Sequence, residues 1–362
     1  MSTFWDGKNV LITGCTGFVG SWLAEALVER GANVNGFVRI QSGTTTKNID
    51  HLLAGKKITL HRGDLNDSGS IADIIKKSES EVVFHLAAQS FVPQSFESPV
   101  DTFRANVIGT TNVLDAVKQV DKDIGVHFAG SSEEYGLVIV DDSQYKRMID
   151  RYKVILPAPE TDGDGKIVPE TPIKETNPMR TVGISPYGCS KRMAEEICRT
   201  YASCYGMNVY VTRAFNHTGP RRGREFVSSR ITEQVAEGVK NGKREIVLGN
   251  LESIRDFSDV RDIVRGYMAA VERGVPGDVY NLCSGKGTSI RQLMEMAVSI
   301  AKKDFGLGHE MEYVADEKLI RPAELPIIVG DCSKARKDLG WKSEVPLEKT
   351  LGDMIGFYCE RI

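Results

Sequence analysis

Tyr187 and Lys191 stand four residues apart in the run YGCSK, and the periodicity of SKRMAEEICRTYASCYG predicts a helix around them. Residues at i and i+4 share one helix face, which sets a phenol beside an ammonium. A free phenol, with a pKa near ~10, is a poor base at neutral pH, but a neighbouring cation favours the phenolate. Tyr187 can then exchange a proton with an alcohol while a hydride leaves or joins the same carbon. The Y-x-x-x-K spacing is common by chance and becomes specific through its company. Upstream, Gly14, Gly17 and Gly20 form G-x-x-G-x-x-G, and the serines of GSSEEYG close an apolar run.

The glycine triplet lies between the β-branched run NVLITG and an amphipathic stretch, so it reads as the turn from a strand into a helix. The first glycine permits the turn, the second lets pyrophosphate oxygens approach the backbone, and the third lets the helix pack on the strand. Free amide N–H groups and the helix dipole receive the anion. The contacts expected from this segment are Gly14, Thr16, Gly17, Phe18, Val19 and Gly20. A carboxylate that binds the ribose diol of NAD is expected at the end of the second strand. Here Val38 is followed by Arg39, whose guanidinium suits the 2′-phosphate of NADP. Asp64 and Leu65, ending the third strand, fall near where adenine would lie. Leu86, Ala87 and Ala88 end the fourth strand and would let the cofactor cross close to the backbone.

The elements that must carry these residues alternate. NVLIT, ANVNGFVR, ITLHRGDL, EVVFHLAA, GVHFAGSS and, after the later helix, NVYVTRAF read as strands, with helices over SIADIIKKS and from about Pro99 to Val120 among them. This rhythm predicts an α/β fold: a doubly wound parallel Rossmann sheet with a smaller C-terminal α/β substrate lobe. The expected division is a dinucleotide-binding domain over 1–215, interrupted by an inserted segment at 137–180, and a nucleotide-sugar-binding lobe over 216–362. The insertion carries five prolines, an acidic DGDG stretch and a short helical segment from Tyr145 to Tyr152. A connection of this length is usually functional or a cover.

Composition narrows the classes. Among 362 residues, 46 Lys and Arg face 49 Asp and Glu, a net charge of -3, so no global positive field draws the chain to nucleic acid or an anionic membrane. Apolar runs such as Val82 to Ala88 fall far short of a membrane span, and the opening residues lack a signal pattern, so a cytoplasmic protein is expected. Seven cysteines without a C-x-x-C pair argue for reduced, mostly buried thiols and against a zinc site.

ITGCTGFVG, GDL, HLAAQS, GSSEEYG, YGCSK, RAFNHTGPRRG, NLESIRDFSDVRDI, YNLCSG and RPAE together resemble the extended short-chain dehydrogenase/reductase superfamily. Within it the likeness is to nucleotide-sugar-modifying enzymes, the GDP-mannose 4,6-dehydratases and the GDP-6-deoxy-4-keto-mannose reductases. The resemblance implies that Ser131 holds the sugar O4, that Tyr187 and Lys191 are the redox pair, and that Glu133 is the general base. Ser90, Ser132 and Asn216 would contact substrate, Arg255 and Arg321 the diphosphate, and Glu324 the nucleoside ribose.

The implied reaction is NADP-dependent 4,6-dehydration of GDP-mannose to GDP-4-keto-6-deoxymannose by a homodimer or homotetramer. Single hydride delivery to a 4-keto sugar, or 4-epimerisation, needs only the redox pair. A non-catalytic nucleotide-binding regulator would need none of these side chains. Two departures from the family pattern stand out. Ile40 follows Arg39 where the GDP-mannose dehydratases typically carry a second arginine in a loop that reaches a neighbouring subunit. The segment between Glu134 and Tyr187 is also longer than usual for the family.

Overall fold

Runs of aliphatic residues with no polar break, such as NVLIT and VVFH, suit strands covered on both faces, and Val82–His85 is buried at every position. Seven such strands form one parallel sheet in the computed structural model, which describes residues 4–39, 45–319 and 325–362. From one edge to the other the strands are Val279–Leu282, Val209–Ala214, Gly125–Ser131, Val82–His85, Asn9–Thr13, Asn33–Arg39 and Ile58–Gly63. Helices cover both faces. Phe18–Glu29 and Val260–Arg273 bury Leu23, Leu27, Ile263 and Tyr267 with Phe84 on one side. Ser68–Lys77, Gly109–Val120 and Pro186–Tyr205 bury Ile71, Ile75, Val113, Val117 and Ala194 with Leu11 and Val83 on the other. The chain is therefore the doubly wound Rossmann sheet that its alternating runs predict.

The boundary expected at 215/216 does not coincide with the last strand of the sheet. Past residue 216 the chain returns, and Val260–Arg273 and Val279–Leu282 supply a covering helix and the edge strand of the sheet. Burial explains the return. Tyr280 and Leu282 are fully buried, and the strand pairs in parallel with Val209–Ala214. The remaining elements build a smaller unit, where Val227–Asn241, Ile290–Asp304 and Leu347–Cys359 pack around Val235, Leu293 and Leu351. Asp262 ties the two parts together: its carboxylate accepts the backbone N–H groups of Glu344 at 2.7 Å and Val345 at 2.9 Å.

The helix expected from Pro99 to Val120 is interrupted. A π turn at Arg104–Ile108 joins Pro99–Phe103 to Gly109–Val120. Such a bulge re-aims side chains and is frequent at functional sites. Here it delivers Asn106, whose amide donates to the Gln89 carbonyl at 2.9 Å and to Ser190 Oγ at 2.8 Å.

The 137–180 segment is a cover. Its helix, Asp142–Tyr152, starts three residues before the expected Tyr145 because Asp141 caps it, accepting from Gln144 N at 2.6 Å. Further on, Glu175 accepts the backbone N–H of Asn281 at 2.7 Å, and Ile173 accepts the Asn281 side-chain amide at 3.0 Å. The segment thereby occupies the edge strand's free hydrogen-bonding side. Arg180, fully buried, anchors it by donating to the carbonyls of Pro157 at 2.8 Å and Leu137 at 3.0 Å and to Glu170. Arg180→Met would leave the Glu170 carboxylate buried without its cation. The unfolding free energy should fall by about 3–5 kcal/mol, the usual cost of breaking a buried pair from one side. Urea denaturation reads this directly, and an unchanged midpoint would show that the pair does not hold the segment.

Candidate active site

The first strand ends at Thr13, and Gly14 turns the chain with φ of +75°, a conformation that favours glycine. A methyl group on Gly14 would meet Ala87 N at 3.0 Å, and one on Gly20 would meet the Gly14 carbonyl oxygen at 2.2 Å. Gly17 is the extended N-cap of Phe18–Glu29 and lends that helix no side-chain cap, which leaves the first amide N–H groups open to an anion. Thr13 Oγ accepts from Leu86 N and Ala87 N, both at 3.1 Å, and so fixes the neighbouring strand end.

These residues line a cavity of about 380 Å³. Of the residues expected at the cofactor, it brings together Gly14, Thr16, Gly17, Phe18, Val19, Gly20, Arg39, Leu65, Leu86, Ala87, Ala88, Tyr187 and Lys191. Ser90, expected at the substrate, lines the same cavity. Asp64 does not line it. Its carboxylate turns back to accept from Asn66 N at 2.9 Å and Asn66 Nδ2 at 2.8 Å.

The cavity also holds residues to which the sequence reading gave no role: His217, Arg222, Phe226 and Tyr267. The Arg222 guanidinium lies 3.9 Å from the Phe226 ring centre and 5.3 Å from that of Phe18, and burial lowers its pKa to about 10. It makes no ion pair among the described residues, and neither does Arg39. Two such guanidiniums beside a glycine turn with open amides form a donor set that fits a phosphorylated dinucleotide. The last arginine of RAFNHTGPRRG was the available signal, but only packing reveals that it faces the cavity.

A second cavity of about 400 Å³ contains Glu133, Asn216 and Arg255 together with Phe91, Glu225 and Arg230. Between the two runs the turn Ser132–Tyr135. Ser131 Oγ accepts from Glu133 N at 3.2 Å and hydrogen-bonds the Tyr187 phenol, so the two cavities meet at these side chains. Ser132 is buried and lines neither cavity. Asp256, beside Arg255, is occupied by Ser284 N at 2.7 Å, Gly285 N at 2.9 Å and Gly330 N at 3.2 Å. Arg321, Glu324 and Ile40 lie outside the described residues.

Burial pushes the Tyr187 phenol up to about 12, with the Ser131 hydrogen bond pulling the other way. Burial lowers Lys191 to about 8, and its ammonium donates to the Ala129 carbonyl at 2.8 Å. Among the described residues no group of three or more His, Cys, Asp or Glu could hold a metal ion, and all seven cysteines are free thiols.

The lysine yields a pH test. With its folded pKa near 8 against 10.5, the folded chain binds fewer protons than the unfolded chain between those values, so stability rises with pH across that window. Lys191→Met removes this dependence. The variant should be more stable than the unmodified protein at pH 7, by about 1–3 kcal/mol, and the gain should shrink towards pH 10. Thermal unfolding at several pH values measures it, and a difference independent of pH would contradict it.

Comparison with known proteins places the chain. Residues 10–283 match the NAD dependent epimerase/dehydratase family. The chain is 32% identical to a GDP-mannose 4,6-dehydratase of Sinorhizobium fredii, over 97% of this chain and 96% of the relative. It is 30% identical to one of Vibrio cholerae, over 96% and 93%. Among solved structures, RMD from Pseudomonas aeruginosa in complex with NADPH aligns with a TM-score of 0.71 at 27% identity, over 98% of this chain and 99% of that one. A UDP-glucose 4-epimerase of Thermotoga maritima with UDP-glucose aligns with a TM-score of 0.74 at 26% identity, over 98% and 99%. With its glycine turn and its Ser131, Tyr187 and Lys191 at the carboxyl end of the sheet, the chain belongs to the NAD dependent epimerase/dehydratase family, the nicotinamide-dependent extended short-chain dehydrogenases/reductases.

Proposed function

We infer that this protein is an NADP-dependent nucleotide-sugar 4,6-dehydratase whose substrate is GDP-mannose. The observation that carries the reading is Glu133: a carboxylate on the substrate-cavity side of the same turn whose Ser131 hydrogen-bonds Tyr187. Relatives similar over nearly the whole chain bear the name GDP-mannose 4,6-dehydratase. A homodimer or homotetramer accords with Val100, Ile108 and Met193, apolar side chains exposed on helices beside the site. A cytoplasmic location accords with the free thiols.

The cavity residues would hold NADP through the amides of the glycine turn, with Arg39 and Arg222 as phosphate partners. When bound, the cofactor would supply the hydride acceptor for the sugar C4 and the hydride donor for C6. Tyr187 takes the C4 hydroxyl proton while Ser131 fixes O4 by hydrogen bonding. Lys191, held by Ala129, supplies the positive charge that favours the phenolate. The ketone at C4 acidifies the C5 proton; Glu133 removes it and passes it to the C6 hydroxyl, which leaves as water. Once hydride is restored at C6, a solvent proton is taken up at C5, and Tyr187 releases the proton it took from O4 to solvent.

Two experiments test this reading. Because a 2′-phosphate needs a cation, the protein should bind NADP at least ~10-fold more tightly than NAD, about 1.4 kcal/mol. Arg39→Ala should erase most of that preference in fluorescence titrations, and equal affinities for the unmodified protein would refute the cofactor choice. The second experiment separates the chemical steps. On addition of GDP-mannose, Glu133→Gln should show absorbance of reduced nicotinamide that persists, with no dehydrated product by mass. The unmodified enzyme in D2O should place deuterium at C5. Absence of C5 deuterium together with net NADPH consumption would instead assign single hydride delivery to a 4-keto sugar.

A further inference from the structure

Directly behind the redox pair lies a cluster that the reaction above does not use. Glu134, fully buried, accepts the backbone N–H of Ser131 at 2.6 Å through Oε1. Its other oxygen, Oε2, lies 3.7 Å from Arg213 Nε and has no hydrogen bond. Arg213, 2% exposed, spends its stronger contacts on Glu195, with Nε to Oε2 at 2.8 Å and Nη2 to Oε1 at 2.5 Å. One guanidinium thus faces two buried carboxyls and satisfies only one of them. The cluster touches the cofactor cavity through Gly130, which lines that cavity. A Cβ at Gly130 would stand 2.7 Å from Glu134 Oε1, so only glycine lets this carboxyl approach the cavity wall.

We propose that Glu134 is a positioning residue for the redox centre: a buried carboxyl that fixes the Ser131 backbone and, by exchanging one negative charge with Glu195 across Arg213, sets from behind the field in which Lys191 and Tyr187 titrate. The inference rests on the reading of Tyr187 and Lys191 as the redox pair.

The charged and titratable groups around Glu134 come from every element packed on it. The helix Pro186–Tyr205 brings Tyr187, Lys191, Glu195 and the Cys198 thiol. The strand Val209–Ala214 brings Arg213, and the turn brings Glu133 and Tyr135, the latter with Arg213 4.8 Å from its ring centre. Burial and the Glu195 charge push Glu134 well above the usual carboxylate range, while Arg213 holds Glu195 below it. The proton therefore rests on Glu134 and the charge on Glu195, until rising pH ionises Glu134 and adds an anion that supports the Lys191 ammonium.

Two conservative variants have opposite consequences. Glu134→Gln keeps an acceptor for Ser131 N but cannot ionise, so the alkaline limb of the kcat/KM profile should move to lower pH by about 0.5–1 unit. Glu195→Gln leaves Glu134 as the sole carboxylate for Arg213, so the same limb should move to higher pH. A purely structural role would change stability and leave both limbs in place. That result, or displacement of both variants in one direction, would overturn the proposal. Should Glu134→Gln fail to fold, Glu195→Gln decides alone.

A readout without turnover is the Tm difference between Glu134→Gln and the unmodified chain. A carboxyl whose folded pKa is raised stabilises below its unfolded value, and that contribution is lost as pH rises through the folded value. The variant should therefore gain steadily on the unmodified protein as pH rises above the ordinary carboxylate range. A difference that stays constant as pH rises overturns the inference even if GDP-mannose is turned over. Conversely, no turnover of GDP-mannose with the Tm trend intact would sink the functional reading alone.

Discussion

A buried ammonium is the constraint around which this site is arranged. Lys191 is 5% exposed, and removing such a charge from water is costly unless its donors find partners. The Ala129 carbonyl, at 2.8 Å, and the Phe128 ring, centred 4.9 Å away, supply them. Both partners belong to the strand Gly125–Ser131, so satisfying the lysine docks its helix against that strand's carboxyl end. Tyr187, one turn earlier on the same helix, is thereby brought to Ser131. The π turn secures this helix independently, since Asn106 binds Ser190 Oγ, which in turn donates to the Tyr187 carbonyl at 2.7 Å. A phenol that must meet an alcohol within hydrogen-bond reach gains its precision from these two anchors.

Close approach of backbone to backbone is what turns the rest of the sheet edge into a cofactor cradle. At Gly14 and Gly20 the nearest atoms to an added methyl are main-chain atoms, which cannot swing aside as a side chain can. Gly130 is limited in the same way by the Thr212 carbonyl oxygen, 2.8 Å from where a Cβ would stand, as well as by Glu134. The strand ends therefore carry glycine, alanine and hydroxyl residues, and the bulkier cavity residues, Phe18, Phe226 and Tyr267, stand on helices or at their caps.

Much of this was legible in the sequence because it depends on local pattern. Alternating apolar runs and helical periodicities correspond to the first six strands of the sheet and most of their helices, and the glycine spacing marks the turn that lines the first cavity. What escaped depends on distant packing. The seventh strand, Val279–Leu282, reads as a short apolar run that only the open edge of Val209–Ala214 identifies as part of this sheet. Arg222 sits in an irregular stretch with no period to orient it. Asp64 was assigned to adenine from its place at a strand end; its Oδ1 accepts from Asn66 in a local turn, a competition typical of aspartate.

The electrostatic setting of Tyr187 explains why one turn carries two consecutive glutamates with different burial. Glu133 and Glu134 both oppose ionisation of the phenol, and Arg222 favours it. Two full negative charges on the turn would hold the phenol neutral against a single arginine. Glu133 must reach the substrate cavity if it is to remove a proton there, so its charge belongs at the solvent-accessible end. Glu134 is sunk beneath Gly130 and held in its protonated form by burial and by the anionic Glu195. In the proposed reaction the turn would then present one carboxylate to the sugar without presenting two anions to the phenol. On this account the buried Arg213–Glu195 pair bears on the chemistry as well as on packing: it keeps the second charge on Glu195, two turns further along the same helix from Tyr187.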